Sequence, residues 1–332
     1  MIVPEALFRL GWNDRWSALF APHHDAGLVP GRVVRVDRDR VIVGVEVGEV
    51  TALARPGELP AIGDWVGLAP ADGSVGVMTV VAALPRASAL VREDPARPAP
   101  QVLAVNVDVA FVVAALDPSV NLRRLERTLA MVWESGAQPV VVLTKPDRCP
   151  DLAAELGAVG AVAPGVDVLV ANGLTGEGVE AMRARASGGR TAVLVGPSGA
   201  GKSTLTNALS GVDSLATGAV REGDRKGRHT TSARYLVTIP GGGLVIDTPG
   251  LRELAVWDVS EGAGAAFVDI EELAEGCRFR DCRHDAEPGC AVRGRLAPDR
   301  LRNWRQLTEP VDPAEARRRA RIIEKSLRRM SR

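Results

Sequence analysis

Two short strings in this chain have the residue types and spacing to hold a nucleotide, and their order is unusual. Gly196-Pro197-Ser198-Gly199-Ala200-Gly201-Lys202-Ser203 matches G-x-x-x-x-G-K-S and is followed by Thr204. Glycines so spaced let successive backbone N–H groups turn inward around phosphate oxygens, and the helix N-terminus that follows adds positive potential. Lys202 is then placed to reach the β- and γ-phosphates, and the Ser203 hydroxyl to ligate Mg²⁺. Earlier in the chain, Thr144-Lys145-Pro146-Asp147 closes an apolar stretch. A carboxylate at Asp147 accepts from guanine N1–H and N2–H₂ together, a pair that adenine does not offer, so the wrong base leaves a polar group unmatched. The Lys145 methylene stem can lie across the base plane. The competing reading of this string is a plain strand-to-helix turn with Asp147 as a cap. In ordinary GTPases the phosphate loop precedes the T/NKxD element. Here it follows, and the reversed order implies a circularly permuted GTP-binding domain.

Two further strings fit such a domain. Asp247-Thr248-Pro249-Gly250 follows the apolar run 244–246. A D-x-x-G string there holds Mg²⁺ through its carboxylate and senses the γ-phosphate through the Gly250 N–H. Between loop and D-x-x-G lies Lys226-Gly227-Arg228-His229-Thr230-Thr231. Thr230 or Thr231 can complete the Mg²⁺ shell. Leu251 stands where Ras-like enzymes carry a water-orienting glutamine, and leucine cannot orient water. His229 has the chemistry to do so; the alternative is an exposed loop histidine.

Cys277-x4-Cys282-x-His284-x5-Cys290 gathers three of the four cysteines and one of the four histidines. Three thiolates and an imidazole complete a closed tetrahedral zinc set of structural type. A disulfide with a spare thiol is the competing reading. Cys149 reads as a plain thiol.

The elements that must position these groups are legible in coarse form. Residues 1–27 read as an irregular lead-in. Valine-rich runs at 31–37, 40–47, 50–55, 64–68 and 75–84 are separated by turn signals, which suits a small closed barrel over 28–90. An OB-fold is expected and an SH3-like barrel is the competitor. Residues 86–100, rich in Pro and Arg, read as a linker. From about residue 103 strands alternate with helices, as in a mostly parallel P-loop α/β sheet, and we assign 91–265 to it. Strands are expected at 102–116, 139–143, 167–170, 191–195, 234–239 and 243–246, with helices near 123–135, 151–156, 178–186 and 202–209. Residues 266–332 read as a helical, cysteine-bearing domain. The fold class is thus multidomain α+β and α/β.

Composition excludes several classes. The 332 residues carry a formal net charge of zero and four cysteines, so no bulk field draws the chain to nucleic acid and no disulfide scaffold is implied. Basic character is local: Arg317, Arg318, Arg319, Arg321, Lys325, Arg328, Arg329 and Arg332 face only Glu315 and Glu324 at the C-terminal end. The longest apolar run, 103–116, is too short for a membrane span and contains Asn106 and Asp108. The start shows no signal-peptide pattern. A cytoplasmic protein with no membrane partner is expected, and nothing demands more than a monomer.

These residues together resemble the ribosome small-subunit-dependent GTPase A family. The likeness runs from Gly31 to the C-terminal helices. It rests on Gly63-Asp64-Trp65-Val66, Asn106-Val107-Asp108, the string 226–231, and the Cys277/Cys282/His284/Cys290 set. It implies an N-terminal OB-fold, a circularly permuted GTPase domain and a helical domain with one zinc ion. It implies slow GTP hydrolysis that the small ribosomal subunit accelerates, a role in late subunit maturation, and a hydrolytic part for His229. Two positions depart from the family pattern. Thr144 stands for the usual Asn, and Asn172-Gly173 for the Ser-Ala that supports guanine O6, where a backbone N–H can still serve. The reading adopted is a GTPase that binds the small subunit and its rRNA, uses Mg²⁺ with GTP, and is released on hydrolysis to GDP. The alternative is a nucleotide-sensing rRNA-binding module with negligible turnover. Replacing Asp147 by Asn is expected to abolish the preference for GTP over ATP in a competition assay. Retained preference would remove Asp147 from the base site.

Overall fold

The computed structural model describes residues 5–37, 40–54, 60–71, 77–93, 100–211, 234–247, 266–280 and 282–308. In the N-terminal part, β1 (Val29–Val36), β2 (Arg40–Val45), β3 (Gly48–Leu53), β4 (Trp65–Pro70) and β5 (Val77–Ala83) pair in the order β1-β2-β3-β5-β4, and β4 closes back on β1. This is the OB-fold barrel. Closure leaves Val33, Val41, Val43, Val45, Val66 and Leu68 buried inside it, so each valine-rich run contributes one face to a common core.

The lead-in is not irregular. It forms helices α1 (Glu5–Arg9) and α2 (Asp14–Asp25), the second capped by Asn13, whose Oδ1 accepts from the Trp16 N–H at 3.3 Å. Trp12, Trp16 and Phe20 bury against Trp65 of β4, with Trp12 and Trp65 edge-to-face at 4.8 Å. Aromatic burial on the barrel, not local periodicity, sustains these helices.

The expected linker is also partly a strand. Strand β6 (Ala89–Glu93) pairs antiparallel with β7 (Pro100–Val105). The single strand expected at 102–116 is two, β7 and β8 (Val109–Ala115). The break falls at Asn106, which adopts φ 54°. Asparagine tolerates that conformation, and here its side chain is used. Oδ1 accepts from the Ala87 N–H at 2.8 Å while Nδ2 donates to the Gly63 carbonyl at 3.0 Å.

The second unit alternates as expected: α3 (Leu122–Glu134), β9 (Gln138–Thr144), α4 (Leu152–Val162), β10 (Asp167–Ala171), α5 (Val179–Ala186), β11 (Thr191–Val195), α6 (Lys202–Ser210), then the hairpin β12 (Arg234–Ile239) and β13 (Gly243–Asp247). Helix α4 outruns the expected 151–156 because its apolar residues continue to Val162, despite interior glycines at 157 and 160. Strands β10-β9-β8-β11-β13 are mutually parallel, and β12 is antiparallel to β13. Strand β12 also pairs with β1, Arg35 opposite Tyr235 and Val36 opposite Arg234. Barrel and α/β sheet are therefore one continuous 11-stranded sheet.

Helices α7 (Val268–Ala274) and α8 (Pro298–Thr308) follow. Helix α8 docks on α3 through buried polar groups. Arg300 bonds Glu126 and Asp269, Asn303 Nδ2 donates to Glu126 Oε2 at 2.6 Å, and Arg300 also donates to the carbonyls of Val162 and Ala266. No helix among the described residues is long and apolar enough to cross a membrane.

Candidate nucleotide site and metal centre

The C-terminal ends of the five parallel strands converge on one edge of the sheet. Asp117 follows β8, Thr144 ends β9, Asn172 follows β10, Gly196 follows β11 and Asp247 ends β13. Crevices at that edge are where open α/β sheets take their ligands.

The loop between β11 and α6 is shaped by glycine. Gly196 has φ 145°, and a Cβ there would stand 2.3 Å from the Val113 carbonyl oxygen of β8. Any side chain at this position would push the loop off the sheet. Gly201, at φ 92°, turns the chain into α6. Ser198 and Gly199 are exposed, Ala200 is buried, and Pro197 lies between. Lys202 opens α6 and folds back, its Nζ donating to the carbonyls of Gly196 at 2.7 Å and Pro197 at 2.6 Å. Ser203 is exposed in the first turn, with Thr204 beside it.

Thr144 ties this loop to the T-K-P-D element. The residue is buried at 3% exposure, and its hydroxyl donates to the Ala200 carbonyl at 2.7 Å. The Thr that departs from the usual Asn thus serves as a brace across 56 residues of sequence. Lys145 follows in the left-handed region, φ 57°, and Pro146, Asp147 and Arg148 form a single tight turn. The Asp147 side chain is exposed. Lys145 Nζ lies 3.2 Å from Asp117 Oδ2, and Arg148 Nη1 lies 2.8 Å from the same oxygen. The Lys145 and Arg148 hydrogen bonds hold the Asp117 carboxyl below its ordinary pKa. Sequence pattern passes over Asp117. Its only signal is an acidic residue directly after a buried parallel strand.

Asn172 forms a turn, its Oδ1 accepting from the N–H groups of Leu174 at 3.0 Å and Thr175 at 3.4 Å. A Cβ on Gly173 would stand 3.0 Å from the Thr204 carbonyl carbon and the Leu205 nitrogen, so this loop lies against the first turn of α6. The structure thus gathers Thr144, Lys145, Pro146, Asp147, Asn172, Gly173, residues 196–204 and the strand end at Asp247. His229, Thr230, Thr231, Gly250 and the basic end from Arg317 lie outside the described residues.

The second cluster sits between α7 and α8. The ligating atoms of Cys277, Cys282, His284 and Cys290 all lie within 4.8 Å of one another. His284 Nδ1 is 3.6 Å from Cys277 Sγ and 3.5 Å from Cys290 Sγ. The Ala291 and Arg293 N–H groups point at the sulfurs of Cys277 and Cys290, at 3.2 and 3.3 Å. Burial keeps the His284 imidazole below its ordinary pKa, in the neutral form that ligates. Burial pushes the Cys282 thiol up to about 11; a bound metal ion would stabilise the thiolate against that penalty. Four converging donors with N–H groups aimed at sulfur fit a bound metal ion. All four cysteines are free thiols, which sets aside the disulfide reading. Arg305 of α8 donates to the His284 carbonyl, and the Trp304 ring lies 5.2 Å from the imidazole.

A family model described as RsgA GTPase matches residues 83–257. The chain belongs to the RsgA GTPase family. Among its relatives, the Streptomyces coelicolor protein named small ribosomal subunit biogenesis GTPase RsgA is 46% identical over 343 positions, covering 98% of this chain and 93% of that protein. A Syntrophotalea carbinolica protein of the same name is 41% identical over 321 positions, covering 89% and 87%. Among solved structures, YjeQ from Thermotoga maritima superposes with a TM-score of 0.63 at 22% identity, covering 85% of this chain and 98% of that one. YloQ, described as a circularly permuted GTPase, gives 0.62 at 26% identity, covering 86% and 96%. As a member of this family the protein is a GTP hydrolase, and strand β9, which ends in the T-K-P-D string, precedes strand β11, which leads into the glycine loop, in the chain.

The Thr144 hydroxyl is testable apart from the base. In Thr144→Val the shape is kept and the bond to Ala200 is lost, at a cost of about 1 kcal/mol, or roughly fivefold in affinity. GTP and GDP affinities are expected to fall together in a fluorescent-nucleotide titration. A loss confined to GTP would show that the hydroxyl does not act through the shared part of the loop.

Proposed function

We propose that this GTPase acts on the small ribosomal subunit during its late maturation, with hydrolysis of GTP to GDP as the release step. One observation supports the partner: 98% of the chain aligns with a relative named for small ribosomal subunit biogenesis. The likeness therefore extends over barrel, nucleotide sheet and cysteine cluster together. The same reading makes the protein cytoplasmic and monomeric. It divides the chain into a barrel at 28–90, a GTPase unit at 91–265 and a C-terminal unit at 266–332.

In this reading the backbone N–H groups of residues 198–204 cradle the phosphates. Lys202, already at the loop rim on the Gly196 and Pro197 carbonyls, exchanges those acceptors for phosphate oxygens. Asp147 and Lys145 read guanine, and the Asn172-Gly173 loop closes the base side. Mg²⁺ bound with GTP would supply positive charge to the phosphates. Ser203, Asp247 and either Thr230 or Thr231 are the residues to hold it. His229 is assigned the orientation of the attacking water, because Leu251 offers no polar group. Catalysis is positioning plus electrostatics, with little covalent work for the protein.

The metal at Cys277, Cys282, His284 and Cys290 is assigned as zinc, since a closed set of three sulfurs and one nitrogen suits that ion and leaves no open position for chemistry. Its contribution is a cross-link that holds a segment with little core of its own. The basic residues from Arg317 onward and the barrel face are assigned to rRNA phosphates, which entails a steep fall in affinity with salt.

Hydrolysis of GTP by the purified full-length protein, with and without small ribosomal subunits and with ATP as control, tests the partner and the enzyme together. Stimulation by subunits with GTP alone is expected. Tight subunit binding without stimulation would replace the enzyme reading by a nucleotide-sensing module. In Cys282→Ala, metal analysis is expected to show zinc lost and thermal unfolding to begin at lower temperature. Unchanged zinc content would overturn the ligand assignment.

A further inference from the structure

The carboxylate of Asp117 sits where no motif placed it. It follows β8 on the same sheet edge as Thr144, Asn172 and Gly196, and one of its oxygens carries two cations, Lys145 at 3.2 Å and Arg148 at 2.8 Å. Lys145 reaches it from a left-handed backbone, φ 57°, which lysine disfavours. The three side chains are all partly exposed, at 30% for Lys145, 39% for Asp117 and 58% for Arg148. We infer that Asp117 is a positioning residue for guanine binding, whose carboxylate tethers the Lys145 ammonium so that the lysine stem lies flat across the base.

Two effects favour the tether. A lysine stem has four rotatable bonds, and an untethered one must give up that freedom when a base stacks on it. A stem fixed in advance gives up less. The other effect is charge. Asp117 lies between two cations, and with it removed Lys145 and Arg148 face each other without a counter-charge. The Asp117 carboxyl is ionised at neutral pH, and the hydrogen bonds from Lys145 and then Arg148 lower its pKa further, so the tether is present under working conditions. The inference rests on the reading of residues 144–147 as the base-reading element.

The test is steady-state hydrolysis of GTP by the full-length protein, with inorganic tripolyphosphate as a competing ligand that has no base. In Asp117→Asn, KM for GTP is expected to rise about three- to fivefold, the scale of a partly exposed ion pair, with kcat unchanged. The inhibition constant of tripolyphosphate is expected to stay where it was, and Asp117→Glu to restore KM. Arg148→Ala, which keeps the Lys145 pair, is expected to leave KM unchanged. A KM unaltered in Asp117→Asn overturns the inference, provided Asp147→Asn loses guanine preference, since the base site then stands and only the tether fails. Equal weakening of GTP and tripolyphosphate also overturns it, because Asp117 would then act on the loop at large. A rise in Arg148→Ala as great as in Asp117→Asn transfers the effect to Arg148. Retained guanine preference in Asp147→Asn removes the base-site reading, and the tether with it.

Discussion

The Arg32 guanidinium is the joint on which the rest of the architecture depends. It is buried at 2% exposure under the Trp65 ring and donates to three carbonyls from three parts of the chain: Leu10 at 2.5 Å, Gly63 at 3.3 Å and Asn106 at 3.2 Å. The first belongs to the helical lead-in, the second to the barrel, the third to the entry of the nucleotide sheet. Removing a charge this completely from water is costly, and burial lowers the Arg32 pKa to about 10 even with Asp108 and Asp64 nearby. The cost is tolerable only if all the donors find acceptors, which ties the three segments to one geometry. The strings Gly63-Asp64-Trp65 and Asn106-Val107-Asp108 find their physical meaning here. Asp64 pairs with Arg86 at 2.7 Å, and Asp108 Oδ2 accepts from the Thr191 N–H of β11 at 2.7 Å. A Cβ on Gly63 would stand 2.2 Å from the Val105 carbonyl oxygen. Each residue closes the same seam.

That seam braces the edge of strand ends from one side. Strand β1 pairs with β12, and β12 with β13, so Arg35, Tyr235 and Asp247 lie in register across three strands. The Arg35 guanidinium also stands over the Tyr235 ring at 5.8 Å. The other brace comes from the C-terminal helices. Arg300 and Asn303 of α8 bury their polar groups against Glu126 of α3, and Arg305, one turn on, holds the His284 carbonyl. Helix α3 starts just after Asp117. The metal cluster and the nucleotide edge are thus joined through a helix on each side of one buried ion pair.

The nucleotide motifs are legible in the sequence because each closes an apolar strand and so carries its own context. The valine runs of the barrel are legible for the same reason, since alternation is a local signal. What escapes is decided by distant residues. Helix α2 holds Pro22 and few apolar residues of its own, and exists because Trp16 and Phe20 find Trp65. The run 102–116 reads as one strand, yet Asn106 breaks it to serve Gly63 and Ala87, contacts that lie 43 and 19 residues away. Asp117 lacks a motif because its partners come from the next strand. Thr144 reads as a departure from pattern, whereas its hydroxyl turns inward to the Ala200 carbonyl. The brace belongs to the packing of β9 on the loop, and no single string carries it.

Permutation follows from the same physics. The site is a set of strand ends, and what matters to GTP is which ends are neighbours, not the order in which the chain visits them. Strands β10-β9-β8-β11-β13 keep the loop of Gly196 between the Thr144 element and the Asp247 strand. What the permuted order changes is where the chain enters and leaves the sheet. It enters at β8, from the barrel by way of the β6–β7 pair and the Arg32 seam, and leaves after β13, the strand that ends in Asp247. The strand that ends in Asp247 is therefore also the last described strand before the cysteine-bearing segment. In an unpermuted order that strand would lead back into the sheet. Here a displacement at Asp247 has a covalent route to the C-terminal unit and a hydrogen-bonded one, through Tyr235 and Arg35, to the barrel.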